Sequence, residues 1–414
     1  MDSNNGPHHV GIGEREGKII SQMVHDRNYG LVHGIGRSGN IYDLQPKAAG
    51  SSLLNRLTNS LMRNLLKSIG FSFIKDLIIL PFATGMALTL SFLTLRLEKR
   101  HAKYIIWPRI DQKTCFKCMI TSGYIPVVVN PIQKGDELET DIEEIKKQIG
   151  LLGEDNILCI FSTTSCFAPR GYDNIEEIAK ICKEKNIFHV VNNAYGIYCT
   201  KICDLLNQSD KNGKIDLIIS STDKNFMVPI GGSVIYSSNS DLISKVKKNY
   251  PGRASISPII DIFISFLEMG KNKYKFLIKD RKEKYDKLIK KFEEIAKKYD
   301  ERILITKNNK ISIGMTLGNI AKKANAKEKR DITEIGSMFY NRQISGVRVI
   351  AETKDKAEMS GFKFSNYGSS CENYNNLPYF TFACAIGITD EEIDGFCTKF
   401  PKIIDEYIKN KEEK

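Results

Sequence analysis

The sequence lacks the marks of a secreted, membrane-spanning or repeat protein. Its first ten residues contain neither a basic region nor an apolar stretch, which predicts that there is no signal peptide and that the protein is cytoplasmic. One uncharged segment, residues 77–95, is interrupted by Pro81 and Gly85, so a strand, a turn and a buried helix explain it better than a membrane span. No segment of the sequence repeats. We therefore expect a protein with no membrane partner.

The sequence also lacks cysteines paired in a regular framework. Ten cysteines are scattered through 414 residues, several of them in apolar segments, which is typical of a reducing compartment. Cys115 and Cys118 form a C-x-x-C pattern, but no second pair follows at the spacing of a zinc finger. We interpret these two cysteines as incidental and expect no metal site.

Acidic residues are few relative to basic ones. The chain has 61 Lys and Arg against 49 Asp and Glu, giving a net charge of +12 and a pI near 9.0. Such an excess can attract a polyanion such as RNA. Much of it lies in lysine-rich runs such as residues 287–291, however, and these usually form the solvated face of a helix. Charge alone leaves a nucleic-acid partner open.

Apolar runs without strict alternation, separated mostly by helical patterns, extend from about residue 77 to residue 236. This pattern predicts a mostly parallel sheet that is buried on both faces. A short N-terminal helix is predicted over 14–28 and a long charged helix over 274–299. We expect an α/β protein with a large domain and a smaller C-terminal α+β domain, divided as 1–52, 53–300 and 301–414.

Three features that are distant in sequence fit one chemistry. Lys224 follows an apolar strand and precedes a glycine pair, where a lysine with little freedom can form a Schiff base with an aldehyde cofactor. Asn192 and Asn193 come at the end of a strand, at the place where pyridoxal phosphate enzymes contact the pyridine nitrogen, usually with aspartate. Ala83, Thr84 and Gly85 join a strand to a helix whose free N–H groups can hold a phosphate. In this order the three outline a fold-type-I pyridoxal phosphate site.

Each feature taken alone has a plainer explanation. A lysine after a strand is usually a surface residue, because lysine is rarely buried without a partner. The segment Asn192–Gly196 has ordinary turn composition, and residues 83–87 are a generic turn between strand and helix. The hypothesis therefore depends on the three features occurring together.

A second anion site is predicted near the N-terminus. Residues 36–39, Gly-Arg-Ser-Gly, are followed by Gln45 and resemble a phosphate-binding loop, although no Gly-Lys-Ser/Thr sequence closes it. Arg253, in the segment Pro-Gly-Arg-Ala-Ser, is a candidate bidentate ligand for an oxyanion. Two such sites suit an enzyme that binds one phosphate on its cofactor and another on its substrate.

Eight stretches of the sequence, in matching order, resemble the O-phosphoseryl-tRNA(Sec):selenocysteinyl-tRNA synthase family. Together they cover roughly residues 1–260, and the last third of the chain matches more loosely through 336–338 and 342–346. The stretches are GEREG at 13–17, HGIGRSG at 33–39, QPKAAGSSLLN at 45–55, KYIIWPRIDQK at 103–113, STTSCFAPR at 162–170, VNNAYG at 191–196, DKNFMVP at 223–229 and YPGRAS at 250–255. Matching stretches of this length make the resemblance highly specific.

The resemblance implies a two-stage reaction that depends on pyridoxal 5'-phosphate. Phosphoserine carried on selenocysteine tRNA loses phosphate by β-elimination, and selenium derived from selenophosphate then adds to the remaining group. The resemblance also implies a homotetramer. Family members have helices before the segment that resembles Met1–Asn5, and those helices support the tetramer and contact the tRNA acceptor arm.

The resemblance assigns roles to single residues as well. The cofactor would be bound by Arg15, Ala83, Thr84, Gly85, Asn192 and the catalytic Lys224. The substrate phosphate would be bound by Arg37, Ser38, Gln45 and Arg253. Glu14 resembles the family's filter against unphosphorylated or wrongly shaped substrates. Lys211, which we expect in an exposed loop over 210–214, and Arg348 fall where the family touches tRNA.

Two other functions stay open on the sequence. The first is another pyridoxal phosphate enzyme, either a lyase or transferase that acts on a phosphorylated amino acid, or a free-amino-acid lyase or sulfur-inserting relative. A substrate without phosphate, however, has no use for Arg37, Gln45 and Arg253. The second is a non-catalytic protein that binds selenocysteine tRNA. The presence of Lys224 and of both anion sites argues against a loss of chemistry.

Overall fold

The computed structural model describes residues 2, 8–326 and 329–412 of the chain. Its strands, in chain order, are β1 (Asp76–Leu80), β2 (Tyr104–Pro108), β3 (Ile125–Val129), β4 (Ile132–Lys134), β5 (Glu137–Glu139), β6 (Ile157–Thr163), β7 (Phe188–Asn192), β8 (Leu217–Ser221), β9 (Ser233–Ser237), β10 (Ser312–Thr316), β11 (Arg348–Ile350), β12 (Ala357–Met359), β13 (Phe362–Phe364) and β14 (Tyr379–Ala383). The seven longer strands from β1 to β9 were all predicted from apolar runs, and the structure confirms them.

The α-helices separate these strands. They are α1 (Gln22–Arg27), α2 (Ala49–Ser68), α3 (Thr84–Glu98), α4 (Lys113–Thr121), α5 (Ile142–Leu152), α6 (Ile175–Glu184), α7 (Thr200–Asn212), α8 (Thr222–Phe226), α9 (Ser240–Asn249), α10 (Ser257–Lys298), α11 (Gly318–Lys323), α12 (Lys329–Asn341) and α13 (Asp390–Glu412). None of the described helices combines the length and the apolar character that crossing a membrane requires.

A seven-stranded sheet in the order β1-β9-β8-β7-β6-β2-β3 forms the centre of the larger part of the molecule. Within the described sheet, β9 runs antiparallel to both of its neighbours and the remaining pairs are parallel. Strands β1, β7 and β8 therefore run in the same direction. They end at one edge of the sheet, which we call the carboxyl edge.

Both faces of this sheet are covered, as the unbroken apolar runs predict. Successive side chains of a strand point to opposite faces. Ile105 and Trp107 of β2 join one hydrophobic cluster, while Ile106 between them joins another. All seven residues of β6 are buried. Because the central strands are buried on both faces, the residues at the carboxyl edge have fixed positions.

The C-terminal part has a separate core beside a small antiparallel sheet, β10-β14-β11. Aromatic rings dominate this core, and Phe339, Phe380 and Phe400 lie within 5.4 Å of one another, centre to centre. Helix α10 links the two cores, because its Phe266 packs in the large one and its Phe292 in the small one. This is the smaller α+β unit that the sequence pattern predicts.

Parts of the helix prediction were wrong. The helix predicted over 14–28 is present only as Gln22–Arg27, because Gly17 takes a positive φ of 74° that an α-helix does not allow. The loop predicted over 210–214 is wrong for its first part, since Lys211 lies in the last turn of α7. Helices α7 and α9 were not predicted. Gly270, with a φ of 61°, interrupts α10, so the helix predicted over 274–299 corresponds to its second part, and its first part, from Ser257, was not predicted.

Candidate active site

Three of the predicted cofactor ligands meet at the carboxyl edge. Asn192 is the last residue of β7, Thr84 begins α3 shortly after β1, and Lys224 lies in α8 directly after β8. Because these strands are parallel, their ends bring the three residues to one side of the sheet. Open α/β sheets bind ligands at this edge.

Lys224 presents its side chain to solvent from a fixed base. Its Nζ atom lies 5.9 Å from the centre of the Tyr195 ring, and its side chain is exposed. The next residue, Asn225, is fully buried and anchors the short helix, since its Nδ2 donates to the carbonyl oxygens of Ala194 (2.8 Å) and Ser221 (2.7 Å). The position of Lys224 is therefore determined by buried hydrogen bonds, while its amine stays accessible.

The side-chain amide of Asn192 has a defined orientation. Its Oδ1 accepts a hydrogen bond from the backbone N–H of Ala194 (3.1 Å), and its Nδ2 donates to the Cys115 sulfur (3.1 Å). Burial raises the pKa of the Cys115 thiol to about 12, an effect that the Asn192 hydrogen bond and the charge of Lys224 only partly offset. Cys115 is thus a neutral thiol, and Asn192 presents a donor to its surroundings.

The neighbouring Asn193 has a different part in the structure. It is completely buried, its Oδ1 accepts from the Thr164 hydroxyl (2.6 Å), and its Nδ2 donates to the Tyr236 hydroxyl (2.8 Å). These bonds satisfy its amide within the core and tie β7 to β9. Of the two asparagines, only Asn192 is oriented for a ligand.

The start of α3 forms a tight cradle beside these groups. Ala83 is the N-cap residue and makes no side-chain capping bond, so the first N–H groups of a 15-residue helix face the carboxyl edge. A Cβ atom on Gly85 would lie 2.5 Å from Cγ2 of Thr114 in α4. Glycine is therefore required at 85 for the two helix starts to approach this closely, and the resulting cradle suits a phosphate.

This arrangement fits pyridoxal phosphate. An exposed amine, an amide N–H donor and a helix N-terminus are the groups that suit its aldehyde, ring nitrogen and phosphate, respectively. Asn192 differs from the usual aspartate, because a neutral amide donates a hydrogen bond to the nitrogen without keeping it protonated. The residues that would hold the cofactor are Lys224, Asn192, Ala83, Thr84 and Gly85.

The predicted substrate-phosphate loop packs directly against the segment that contains Arg253. Ile35 and Ala254 exchange two backbone hydrogen bonds, of 2.9 and 3.1 Å. Gly34 has a φ of +67°, and a Cβ there would lie 2.2 Å from the carbonyl oxygen of Ala254. Only glycine allows this approach. The structure thereby joins two segments that are more than 200 residues apart in sequence.

Arg253 lies within a cluster of opposite charges. Its Nη1 contacts the Glu16 carboxylate, and its Nη2 donates to the carbonyl oxygen of His33. Lys47 Nζ lies 3.0 Å from Glu14 and 2.7 Å from Glu16. Hydrogen bonds from Lys47 hold the pKa of both carboxyl groups below its usual range, with Arg253 contributing at Glu16. Both carboxyl groups are therefore charged near neutral pH.

The other predicted ligands of this site have varied surroundings. Arg37 and Ser38 are exposed at the tip of the loop, and Gln45 is partly buried at its end, where its backbone N–H donates to Ser52 (3.2 Å). Arg15 is exposed between Glu14 and Glu16. Its predicted contact with the cofactor phosphate stays a prediction.

Two aromatic side chains, those of Phe167 and Tyr195, connect Arg348 to Lys224. The Cζ atom of Arg348 is 4.7 Å from the centre of Phe167, and Phe167 is 6.1 Å from Tyr195, whose ring faces Lys224. Burial raises the pKa of Tyr195, and the positive charge of Arg348 offsets a part of this increase. A residue predicted to touch tRNA thus borders the candidate active site.

Within a single copy of the protein, Lys211 lies far in space from the candidate active site. Helix α7 follows the carboxyl end of β7 and leads back to the start of β8, so its last turn is at the opposite edge. Thirteen helical residues span roughly 20 Å at about 1.5 Å per residue. Lys211 is exposed, as predicted, although it lies in a helix rather than in a loop.

Four residues of the two sites were missed by reasoning from sequence. Cys115 was interpreted as incidental, yet it contacts Asn192, and Tyr195 faces Lys224. Glu16 and Lys47 are partners of Arg253 and Glu14. Three of the four, Tyr195, Glu16 and Lys47, lie inside stretches already noted for their resemblance to the family, and that position was the available signal.

Comparison with known proteins agrees with this geometry. A family model described as "O-phosphoseryl-tRNA(Sec) selenium transferase, SepSecS" matches residues 1–405. The chain belongs to this family. A Dictyostelium discoideum protein named O-phosphoseryl-tRNA(Sec) selenium transferase is 46% identical over 416 residues, which cover 97% of this chain and 87% of the relative. The family predicted from the sequence is confirmed.

Solved structures agree on the fold. The crystal structure of an archaeal member of the family has a TM-score of 0.87 and 30% identity, and covers 97% of this chain and 87% of that one. A structure titled Oryza sativa TDC with PLP and tryptamine has a TM-score of 0.60 at 12% identity, covers 86% of this chain and 75% of that chain, and is evidence of fold alone. The predicted α/β fold of type I is confirmed.

Proposed function

We propose that this chain converts O-phosphoseryl-tRNA(Sec) to selenocysteinyl-tRNA(Sec) with selenophosphate as the selenium donor. The observation that carries the proposal is the arrangement at the carboxyl edge, where Lys224, Asn192 and the start of α3 meet in a member of this family. The Arg253 cluster adds a second anion site, as a substrate phosphate requires.

The cofactor of this reaction would be pyridoxal phosphate, which when bound supplies an electron sink for charge at the substrate α-carbon. Lys224 would hold the cofactor aldehyde and then serve as the base that removes the α-proton. Its exposed amine can reach a substrate, while the buried bonds of Asn225 keep its position fixed. Asn192 would orient the ring through its Nδ2 donor.

Loss of phosphate from the substrate needs positive charge where the leaving group departs. Arg253 and the loop that carries Arg37 and Ser38 would supply it, because a guanidinium offers paired donors to an oxyanion. Gln45 would add a neutral hydrogen bond. This requirement disfavours a lyase for unphosphorylated amino acids, which would have no use for the site.

Binding of the tRNA would involve two separated surfaces. Arg348 borders the carboxyl edge, where the aminoacylated end of a tRNA must reach Lys224. Lys211 lies at the opposite edge and would meet the phosphate backbone of the same or another tRNA. The net charge of +12 favours such a polyanionic partner.

We also propose that the chain acts as a homo-oligomer, a tetramer as the family resemblance implies. Leu53, Leu57 and Leu61 recur at helical spacing along α2, with exposed fractions of 59%, 45% and 36%. Such a stripe of leucines on one helix face suits contact with a second copy of the chain.

The experiment that tests this function is conversion of O-phosphoseryl-tRNA(Sec) by the purified chain supplied with pyridoxal phosphate and selenophosphate. We expect selenocysteinyl-tRNA(Sec) to form, and an absorbance band of the lysine-bound cofactor to be present. A chain that binds the tRNA but shows neither product nor band would be a binding protein instead. A chain with the band but no product would be another pyridoxal phosphate enzyme.

A further inference from the structure

The predicted substrate-phosphate site contains an anion from the chain itself. One oxygen of Glu16, Oε2, is contacted both by Lys47 Nζ, at 2.7 Å, and by Arg253 Nη1. Two cations converging on a single oxygen form the arrangement that a phosphate oxygen would also favour. The Glu16 side chain is half exposed, so it can leave without disturbing the core.

Lys47 is directed to this point by the backbone around it. It is the middle residue of a short 3-10 turn, Pro46–Ala48, in which Ala48 is fully buried and its N–H donates to the carbonyl oxygen of Gln45 (2.9 Å). Lys47 follows the predicted phosphate ligand Gln45 by two residues, and its Nζ contacts the same Glu16 oxygen as Arg253, another predicted ligand. Neither composition nor the family resemblance singled it out.

Arg253 has a donor that Glu16 does not satisfy. Its Nε atom is buried and has no hydrogen-bond acceptor among the described residues, whereas Nη1 and Nη2 are bonded to Glu16 and to the His33 carbonyl oxygen. A buried donor without an acceptor costs free energy. Nε and Nη2 form one edge of the guanidinium, so a phosphate that takes the place of Glu16 on Nη1 uses Nη1, and it uses Nε only where it also replaces the His33 carbonyl oxygen on Nη2.

We propose that Lys47 is a ligand of the substrate phosphate and that Glu16 occupies its site until a phosphate monoester displaces it. This rests on the proposed function. A phosphoserine carries a charge of about −1.5 to −2 near pH 7, against −1 for Glu16, so the same cations bind it more strongly. After the phosphate leaves, Glu16 returns and competes with its rebinding. Glu14, 3.0 Å from Lys47, keeps the lysine in place during the exchange.

Two substitutions test the exchange, with inorganic phosphate as the probe. Binding is measured by calorimetry on the pyridoxal phosphate-loaded protein, so that the cofactor cradle is already filled. Glu16→Gln removes the competing charge, and we expect it to bind phosphate several-fold more tightly than the unaltered chain. Lys47→Gln removes a charge-assisted contact, and we expect binding to weaken about tenfold.

A surface ion pair outside both sites provides matched controls. Lys134 and Glu139 lie 2.9 Å apart on the β4–β5 hairpin, and Lys134→Gln and Glu139→Gln repeat the same changes in charge. We expect both controls to bind phosphate as the unaltered chain does. Thermal unfolding of all four variants checks that each is folded.

The outcomes separate this inference from the proposed function. Phosphate affinity in Glu16→Gln equal to that in Glu139→Gln would overturn the displacement, and affinity in Lys47→Gln equal to that in Lys134→Gln would overturn the ligand role. Phosphate binding that is undetectable in every variant would overturn both. Failure of the loaded protein to convert O-phosphoseryl-tRNA(Sec), with the phosphate results as expected, would instead contradict the proposed function.

Discussion

The two candidate sites of this molecule are built in different ways. The cofactor site lies on strand ends, and its fixed parts, Asn192, Cys115 and Asn225, are 4% exposed or less. The substrate-phosphate site lies on N-terminal loops, where Arg37 and Ser38 are exposed and Glu16 is half exposed. The first is positioned by buried hydrogen bonds and the second by exchangeable ion pairs.

This difference has an energetic consequence. Buried hydrogen bonds hold one geometry, because breaking them leaves polar groups unsatisfied in the core. Ion pairs that are partly exposed contribute little net stability, typically about 0–1 kcal/mol, so they can be exchanged for a ligand at low cost. A cofactor that stays bound suits the first kind of site, and a phosphate that enters and leaves in each cycle suits the second.

The largest expected effect falls on the cofactor site. Lys224→Ala should abolish formation of selenocysteinyl-tRNA(Sec), because the amine beside the Tyr195 ring is the group that would hold the cofactor aldehyde and remove the α-proton. The absorbance band of the lysine-bound cofactor should disappear with it. Lys183→Ala, at an exposed position in α6, is the control and should keep both. Persistence of the band in Lys224→Ala would mean that the lysine is wrongly assigned.

A smaller effect is expected when the phosphate site loses a cation. Arg253→Ala should weaken binding of the phosphoseryl substrate by about ten- to a hundredfold, since a charge-assisted contact contributes about 1.5–3 kcal/mol. Gln45→Ala should act in the same direction. Steady-state kinetics and cofactor titration on the same samples check both effects. Loss of pyridoxal phosphate from either variant would show that the two anion sites are not separate.

The loop that carries the phosphate site can be disturbed through its backbone. Gly34→Ala places a Cβ 2.2 Å from the carbonyl oxygen of Ala254, and the loop must then move away from Arg253. We expect KM for the phosphoseryl substrate to rise about tenfold, with no change in cofactor binding. Gly135→Ala, on the β4–β5 hairpin outside both sites, is the matched control, because its φ is also positive, +62°, but nothing lies within 4 Å of the added atom. Equal effects of the two variants would argue that only backbone strain matters.

The smallest expected effect concerns tRNA at the opposite edge. Lys211→Glu should lower the salt dependence of binding to selenocysteine tRNA by about one unit of the log–log slope, as expected for one lost phosphate contact. Elimination from a small phosphoserine mimic should not change, since Lys211 is far from Lys224. Filter binding over a range of salt concentrations measures the slope. An unchanged slope and affinity would make Lys211 an ordinary surface lysine.

Sequence reasoning predicted where Asn192 and Lys224 lie better than it predicted the contacts of Arg253. The ends of parallel strands must meet at one edge, so the apolar runs that end near Asn192 and Lys224 predict that the two residues lie on the same side of the sheet. The contacts among Glu16, Lys47 and Arg253 depend on how loops fold over long sequence distances, and no local pattern encodes them. The same limit hid Cys115, which contacts Asn192 across 77 residues.

The errors in secondary structure have a related origin. Helix α7 was missed because its sequence is largely polar. The tertiary fold nevertheless buries four of its residues, including Cys203 and Leu206. Conversely, the helical pattern over 14–28 was broken by Gly17, whose positive φ depends on the surrounding fold. Local pattern predicted strands well because the central strands are apolar along their whole length.

The measurement that tests the account most directly compares two substrates of the loaded protein. The account requires a cofactor site for the amino acid and a separate site for its phosphate. We therefore expect O-phosphoseryl-tRNA(Sec) to be converted with selenophosphate, and seryl-tRNA(Sec), which lacks the phosphate, to remain unchanged under the same conditions. Equal conversion of the two tRNAs, or conversion of neither, would contradict it.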